Sequence, residues 1–212
     1  MAYTFLDILS TPAVRAAQAT NGAQKMWEAF DQDRAFDRFT ANETAFIAAR
    51  DSFYLATVSQ SGWPYLQHRG GPPGFLKVLD DKTLAFADFR GNRQYVSLGN
   101  IADDDRVSLI LVDYPQRTRL KILARMLACD LANDPDLAAR LALPGYKVKI
   151  ERAFVLRLET FDWNCAQHIT RRYTSAEIEI AMAPLRDRLA ASEAENQTLH
   201  AQIDGQPRED GA

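Results

Sequence analysis

Residues 62–97 read GWPYLQHRGGPPGFLKVLDDKTLAFADFRGNRQYVS, and their pattern decides the fold. Three short runs rich in apolar and β-branched residues are separated by turn-forming residues, which is typical of antiparallel strands. They lead into a Gly-Asn-Arg turn at 91–93 and then into a short helix predicted over Gln94–Ile101. Because this helix interrupts a series of hairpin strands, the stretch predicts a β-barrel and argues against a Rossmann sheet.

The rest of the barrel is predicted from hairpins and one long final strand. Short turns at 60–62, 80–82 and 114–116 join FYLATVS to WPYLQHR, FLKVL to TLAFA, and RVSLILVD to RTRLKILARML. The last strand, YKVKIERAFVLRLETF, covers 146–161 and follows a helix predicted over Asn133–Leu141. These patterns predict a mainly β fold with helical additions.

The first fifty residues are predicted to be helical. One helix begins at the pair Thr11–Pro12, where Thr is a good N-cap and Pro fits the first turn. A second is predicted around Met26, with Phe30 on its apolar face. A third begins at a capping box formed by Thr40 and Glu43. Nothing in this region points to chemistry, and we interpret it as packing structure.

A long helix is predicted near the C-terminal end, beginning at a second capping box of Thr174 and Glu177. Its seam residues recur at alternating spacings of four and three: Ile178, Met182, Leu185, Leu189, Ser192, Asn196, Leu199 and Ile203. This heptad pattern favours a coiled coil with a second copy, and an Asn in the seam can fix the register. The alternative is an amphipathic helix that packs on its own barrel.

Length and pattern together divide the chain into three parts. Its 212 residues suit one domain with appendages, and 47% hydrophobic residues predict one well-filled core. We predict an N-terminal helical extension at 1–50, a β-barrel domain at 51–173, and a C-terminal helix with its tail at 174–212.

Charge and composition exclude several classes of protein. A net charge of −3 argues against nucleic-acid binding, which needs a basic face. No apolar run approaches the roughly 20 residues that span a bilayer, and Asp7 interrupts a weak candidate signal peptide. The two cysteines, Cys129 and Cys165, form no disulfide framework, and the three histidines lack metal-ligand spacing. We expect a cytoplasmic protein without metal, membrane or nucleic-acid partners.

Basic residues accompany the glycines of the central stretch and predict a phosphate site. Arg69 and Lys77 lie on or beside predicted strands, and Arg93 lies in the turn before the helix, whose first N–H groups attract anions. Arg clasps phosphate with two donors and Lys acts as a point charge, so the set suits one phosphate. Arg119 and Lys121 alternate on a later strand and share one face.

The same stretch resembles the pyridoxamine 5′-phosphate oxidase-like family of FMN-binding proteins. In that family a strand ending in Leu-Lys leads to another strand, a Gly-Ser-Arg-type turn, a short helix and an Asn-Pro-Arg-Val-Ser-like segment. This chain has FLKVL, TLAFADFRGNRQYVSLGNI and DDDRVSLILVD in that order, and the match extends over 53–130. The loop HRGGPPGF is similar to a flavin-nucleotide-binding branch. The resemblance implies a split β-barrel and a homodimer with FMN at the subunit interface.

The resemblance also implies roles for individual residues. Lys77 and Arg93 match phosphate contacts of the family, and Asn92 and Gln94 match contacts from the turn. With these we group Arg119, which adds positive potential to the same predicted site.

Two departures from the family pattern bear on the site. Pro72 stands where the family has its first strand Arg, so we expect Arg69 in the Gly-rich loop to substitute. The substrate-binding terminal motif of the true oxidases is replaced by WNCAQHITRRYT at 163–174, which does not support vitamin B6 oxidation. There we predict that Trp163 stacks on the flavin and His168 donates a hydrogen bond. In the alternative, Trp163 belongs to the core and His168 to the surface.

We therefore expect an FMN-binding protein, an oxidoreductase that acts on an unidentified small substrate, with NADH or NADPH as electron donor. No residue of the chain must be an acid or base for hydride transfer, because the flavin supplies the chemistry. The alternatives are a non-catalytic flavin-binding or carrier module and an assembly protein based on the coiled coil. The residues also leave FAD or a haem-like ligand open in place of FMN.

Overall fold

An antiparallel sheet organises the part of the chain that the computed structural model describes, residues 4–28, 36–164 and 166–204. Its seven strands are β1 (Ser52–Val58), β2 (Pro64–Gly70), β3 (Lys77–Asp80), β4 (Thr83–Phe89), β5 (Arg106–Asp113), β6 (Thr118–Cys129) and β7 (Ile150–Asn164). The α-helices of these residues are α1 (Thr4–Leu9), α2 (Pro12–Thr20), α3 (Gln24–Glu28), α4 (Ala41–Ala48), α5 (Val96–Asp103), α6 (Pro135–Leu141) and α7 (Ser175–Asp204), and a 3₁₀ turn spans Leu131–Asn133. The chain divides into two units, Met1–Ile169 with all seven strands and Thr170–Ala212 with α7.

The predicted hairpins are confirmed. β1 pairs with β2, β3 with β4, and β5 with β6, each in antiparallel register. The predicted last strand begins at Ile150, four residues later than its pattern suggests, and pairs with both β6 and β4. The mainly β architecture with helical additions follows from these pairings.

The N-terminal helices follow their capping signals. Thr11 caps α2 by accepting a hydrogen bond from the Val14 N–H at 3.3 Å. At α4 the capping box forms, because Glu43 Oε2 accepts from the Thr40 N–H at 2.9 Å. α3 is short, and Phe30, predicted on its apolar face, lies outside the described residues.

α1 lies in the region predicted to be helical, but no sequence signal singled out its bounds. Phe5 of this helix is only 5% exposed, and the Lys121 ammonium lies 4.7 Å from its ring centroid. Burial of one aromatic side chain stabilises the helix here, rather than the propensity of its sequence.

The strand order in the sheet is β2-β1-β5-β6-β7-β4-β3. Two strands therefore separate β4 from β5, although these are consecutive in the chain. The connection between them contains the 90–95 turn and α5. At the other side, Arg69 Nη1 on edge strand β2 donates to Asp88 Oδ1 on β4 at 2.8 Å. Since these strands are first and sixth in the order, the sheet must curve until its ends meet.

Two apolar clusters lie on opposite faces of the curved sheet. The interior cluster includes four phenylalanines that are at most 1% exposed: Phe53, Phe86, Phe154 and Phe161. On the other face, Ala85, Ala87 and Ala153 pack against Leu137 and Leu141 of α6. β4 is thus buried on both faces, which explains why TLAFADF reads as an almost continuous apolar run.

The C-terminal unit consists of α7 and its cap. The predicted capping box forms, because Glu177 Oε2 accepts from the Thr174 N–H at 2.8 Å and the Thr174 hydroxyl accepts from the Glu177 N–H at 3.2 Å. The helix is 30 residues long and contains Pro184. Neither α7 nor another described helix is apolar enough over a bilayer-spanning length to cross a membrane.

Candidate functional site

A polar cleft lies where β4 ends and α5 begins. Side chains from β2, β4, β7, the connecting turn and α5 line it: Tyr65, Gln67, Arg69, Asp88, Phe89, Gly91, Asn92, Arg93, Tyr95, Val96, Ser97, Leu98, Glu151 and Phe154. Its volume is about 50 Å³, whereas pockets that take a whole drug-sized ligand are roughly 300–1,000 Å³. The cleft therefore has room for a compact polar group and not for a three-ring heterocycle.

The turn before α5 holds two residues in the left-handed region. Arg93 has φ 62° and Tyr95 has φ 54°, conformations that cost an L-residue free energy. Asn92 fixes the turn, because its Oδ1 accepts from the Gln94 N–H at 3.1 Å. These two left-handed residues delay the start of α5 from the predicted Gln94 to Val96, and they direct the turn along the cleft.

The N-terminus of α5 opens toward the same turn without a side-chain cap. Tyr95 occupies the N-cap position and makes no capping hydrogen bond from its side chain. Ser97, 1% exposed, donates its hydroxyl hydrogen to Gln67 Oε1 at 3.3 Å instead. Uncapped N–H groups and the positive end of the helix dipole favour an anion at this point.

A buried charge cluster forms the floor of the cleft. Asp88 receives Arg69 Nη1 at 2.8 Å, and Arg152 Nε lies 3.3 Å from its other oxygen. Burial raises the pKa of the Asp88 carboxyl, although both arginines act in the opposite direction. The buried Nε atoms of Arg69 and Arg152 have no hydrogen-bond partner among the described residues. The floor therefore offers more donors than acceptors.

Glu151 forms one rim of the cleft. Arg90 Nε donates to its Oε1 at 2.6 Å, and the Tyr95 hydroxyl donates to the same atom at 3.3 Å. The hydrogen bond from Arg90 is the main reason that the pKa of Glu151 lies below its usual value. Hydrogen bonding to Tyr95 raises the pKa of the exposed Arg93 guanidinium, which remains charged.

Three predicted site residues meet in this cleft, namely Arg69, Asn92 and Arg93. Gln94 lies in the same turn and is exposed, with its N–H bonded to Asn92. The structure adds residues that the sequence did not single out, above all Asp88, which lines the cleft, and Arg152, which contacts Asp88 but does not belong to the lining. Their signal was weak, because a charged residue within an apolar strand marks burial with a partner but does not identify that partner.

Lys77 and Arg119 lie apart from the cleft lining. Lys77 pairs in register with Ala85, whose side chain packs on α6, so Lys77 points to the outer face of the sheet. Arg69 pairs with Phe53 of the interior cluster and points inward. Arg119 on β6 is half-buried, and its Nε has no hydrogen-bond partner among the described residues. Flavin contact by Lys77 and Arg119 stays a prediction.

The last two predicted residues, on and after β7, are also outside the cleft lining. Trp163 packs edge-on against Phe46 with 4.8 Å between ring centroids, and its Nε1 donates to Glu43 Oε1 at 2.9 Å. His168 is exposed and has φ 62°. Cys165, which lies between them in the predicted segment, is outside the described residues. Cofactor contact by Trp163 and His168 stays a prediction.

The profile of the family described as Pyridoxamine 5′-phosphate oxidase matches residues 39–152, more than half of the chain. The chain belongs to this family. The match covers α4, the strands from β1 to β6 and every cleft-lining residue except Phe154, and the split β-barrel that the resemblance implied is confirmed. No curated protein matches the chain.

Several solved structures are similar to this chain over most of their own length. An FMN-binding protein from Syntrophomonas wolfei subsp. wolfei is 15% identical, with a TM-score of 0.46 and coverage of 69% of this chain and 97% of that one. A candidate pyridoxamine 5′-phosphate oxidase from Lactobacillus delbrueckii is 22% identical, with a TM-score of 0.45 and coverage of 59% and 94%. HupZ from Group A Streptococcus is 14% identical, with a TM-score of 0.44 and coverage of 64% and 100%.

Proposed function

We propose that this protein binds FMN as a homodimer and acts as a flavin-dependent oxidoreductase on a small substrate. The observation that carries the proposal is the cleft at the β4–α5 turn, whose lining residues except Phe154 lie in the region that matches the family profile. When bound, FMN would supply hydride and electron transfer. The chain's own residues would hold and orient it.

The chemistry of the cleft suits the phosphate of FMN. A dianion needs several hydrogen-bond donors and positive charge, and Arg93, the unpartnered Nε of Arg69 and the uncapped α5 N-terminus provide them. The two carboxylates of the lining are already paired, Asp88 with Arg69 and Arg152 and Glu151 with Arg90. Because their charges are balanced by arginines, these carboxylates repel a bound anion less than unpaired carboxylates would.

The small volume of the cleft limits which part of FMN can lie inside it. At about 50 Å³ it suits the phosphate, so the isoalloxazine ring would lie outside it. In this proposal, Lys77 and Arg119 on the outer face of the barrel contribute to the remaining part of the site, and a second subunit completes it. Trp163 and His168 belong to the same proposal, as ring contacts near the end of β7.

Retention of FMN by variants tests the placement of the phosphate. A charge-assisted hydrogen bond contributes about 1.5–3 kcal/mol, so Arg93→Ala should weaken FMN binding roughly 10- to 150-fold. Arg106→Ala is the matched control, because Arg106 is an exposed arginine paired with Asp104 away from the cleft. Lys77→Ala, measured beside them by flavin fluorescence, reports on the outer face. Unchanged binding in Arg93→Ala would overturn the phosphate placement.

The identity of the cofactor and the activity need two further measurements. The purified protein should be yellow, and mass spectrometry of the released ligand distinguishes FMN from FAD or a haem-like ligand. A colourless protein that does not take up added FMN would refute the flavin proposal. Anaerobic mixing with NADH and NADPH should bleach the flavin. If neither nucleotide bleaches it, the protein is a flavin-binding module rather than a nicotinamide-dependent oxidoreductase.

A further inference from the structure

We infer that α7 pairs with α7 of a second copy of this chain as a parallel, in-register two-stranded coiled coil. Heptad spacing places Ile178, Met182, Leu185, Leu189 and Leu199 in one seam, whereas Ile180 lies outside it. Leu185, Leu189 and Leu199 are 56%, 60% and 48% exposed, although leucines are usually buried in a folded protein. The inference rests on α7 alone and is independent of the flavin site.

The register follows from the heptad pattern. In abcdefg notation Ile178, Leu185, Ser192 and Leu199 take d, and Met182, Leu189 and Asn196 take a. Pro184 then takes c, on the side of the helix away from the seam. A proline there removes one intrahelical hydrogen bond but does not separate the two seams.

Polar seam residues favour the parallel arrangement. In a parallel pair, Asn196 faces Asn196 and Ser192 faces Ser192 of the second copy, and each polar layer satisfies itself. In an antiparallel pair with the same overlap, Asn196 would face Leu185 and Ser192 would face Leu189. That arrangement would bury four polar groups against leucines, at a cost in free energy.

Charges beside the seam are compatible with the parallel register. Position g of one helix contacts position e of the next heptad in the partner, which brings Arg188 against Glu193 of the second copy. Neither residue forms an ion pair in the described part of the single chain, whereas Arg186 is bonded to Glu179 of its own helix. Arg188 and Glu193 are five positions apart, so they do not face each other within one helix.

Disulfide trapping in the full-length protein tests the inference. In a background of Cys129→Ser and Cys165→Ser, Ser192→Cys at a d position should form an inter-chain disulfide with itself under mild oxidation. Ala190→Cys at the outward b position is the matched control and should not cross-link. An antiparallel pair would instead cross-link Ser192→Cys with Leu189→Cys in mixed samples. That result, or no cross-link at all, would overturn the inference.

Charge exchange gives a second, independent test that keeps the apolar seam intact. Arg188→Glu should reduce the yield of the Ser192→Cys cross-link several-fold, because two attractive contacts per dimer become repulsive. Adding Glu193→Arg should restore the yield in the parallel pair. Restoration by Glu195→Arg and not by Glu193→Arg would indicate the antiparallel pairing and refute the proposal. Circular dichroism of each variant excludes loss of the helix as the cause.

Discussion

Arg69 and Asp88 form an ion pair of 2.8 Å between strands that are first and sixth in the sheet order. Both side chains are largely buried, at 15% and 9% exposure, and Arg152 lies on the other oxygen of the carboxylate. One contact thus closes the barrel and forms the floor of the cleft. Removal of the carboxylate would affect both the fold and the proposed anion site, in opposite directions.

We predict that Asp88→Asn lowers the free energy of unfolding by about 1–3 kcal/mol, because an N–H donor replaces one of the acceptor oxygens that face the two guanidinium groups and is left unsatisfied. The same change should strengthen FMN binding, since it removes a negative charge from the cleft. Urea unfolding and flavin titration measure the two effects. Asp104→Asn, which breaks an ion pair with an arginine 74% exposed, is the control and should lower the free energy of unfolding by less than Asp88→Asn does, because solvent screens this pair. Equal effects of the two variants would contradict the structural role of Asp88.

The pKa directions predict how stability changes in acid. Hydrogen bonds lower the pKa of four carboxyls: Asp37 (from Lys82), Asp80 (from the Lys82 N–H), Asp104 (from Arg106, to about 2) and Glu151 (from Arg90). A lowered folded-state pKa means that the stabilisation is complete above the ordinary pKa values near 4 and is lost as pH falls through the folded-state values. The free energy of unfolding should therefore decrease as pH falls from about 5 to 2.

Asp88 acts in the opposite sense in the same titration. Its folded-state pKa is raised by burial, so protonation on acidification favours the folded form. Asp88→Asn removes this compensation, and its unfolding free energy should fall more steeply with acid than that of the wild type. Urea unfolding at several pH values compares the slopes. A shallower slope in the variant would show that the Asp88 pKa is not raised.

Two variants of Arg93 distinguish the contribution of its side chain to FMN binding from the effect of its left-handed backbone on stability. Arg93→Ala and Arg93→Gly both remove the guanidinium and should weaken FMN binding equally. Glycine adopts φ 62° without strain, so Arg93→Gly should be more stable than Arg93→Ala by about 0.5–1 kcal/mol after its larger unfolded-state entropy is allowed for. Thermal and urea unfolding measure the difference. Greater stability of the Ala variant would argue against a left-handed Arg93 in solution.

Trp163 packs against Phe46 and is also predicted to stack on the flavin. The variant Trp163→Phe distinguishes these two roles. Trp163→Phe keeps an aromatic ring beside Phe46 but removes the donor to the buried Glu43 carboxylate, at a cost of about 1–3 kcal/mol. If Trp163 also stacks on the flavin, FMN affinity and the flavin spectrum should change. Phe46→Leu disturbs the same packing without touching the donor and serves as the control. A flavin spectrum altered equally by both variants would assign Trp163 to the core alone.

Much of the architecture was predictable because its signals are local. Short turns such as 60–62 and 80–82 fix which strands pair, and the capping box at Thr40 fixes a helix start. The bounds of α1 were not predictable, although its region was predicted to be helical, since burial of Phe5 stabilises it. The start of α5 differed because two left-handed residues before it have no unique sequence signature.

The site was predictable only in part, for a related reason. Asn92 and Arg93 are close in sequence, so the turn could be recognised from its residues. Arg69 reaches the same cleft through contacts between distant strands, and its partner Asp88 cannot be inferred from spacing. The face on which Lys77 lies could not be predicted either, because a shift of one position along a strand exchanges the inner and outer faces of a sheet. Its contact with the flavin stays a prediction.

The separation of β4 from β5 by two later strands has a consequence for how the protein folds. β4 can pair with β7 only after the other strands have been synthesised, because β7 is the last strand in the chain. In the same way, β1 can pair with β5 only after β2, β3 and β4 have been synthesised. Such non-local pairing is slow, roughly milliseconds to seconds for β-rich domains. The turn that carries Arg93 follows β4 directly, so in refolding experiments anion uptake should not precede the formation of the β4–β7 pairing.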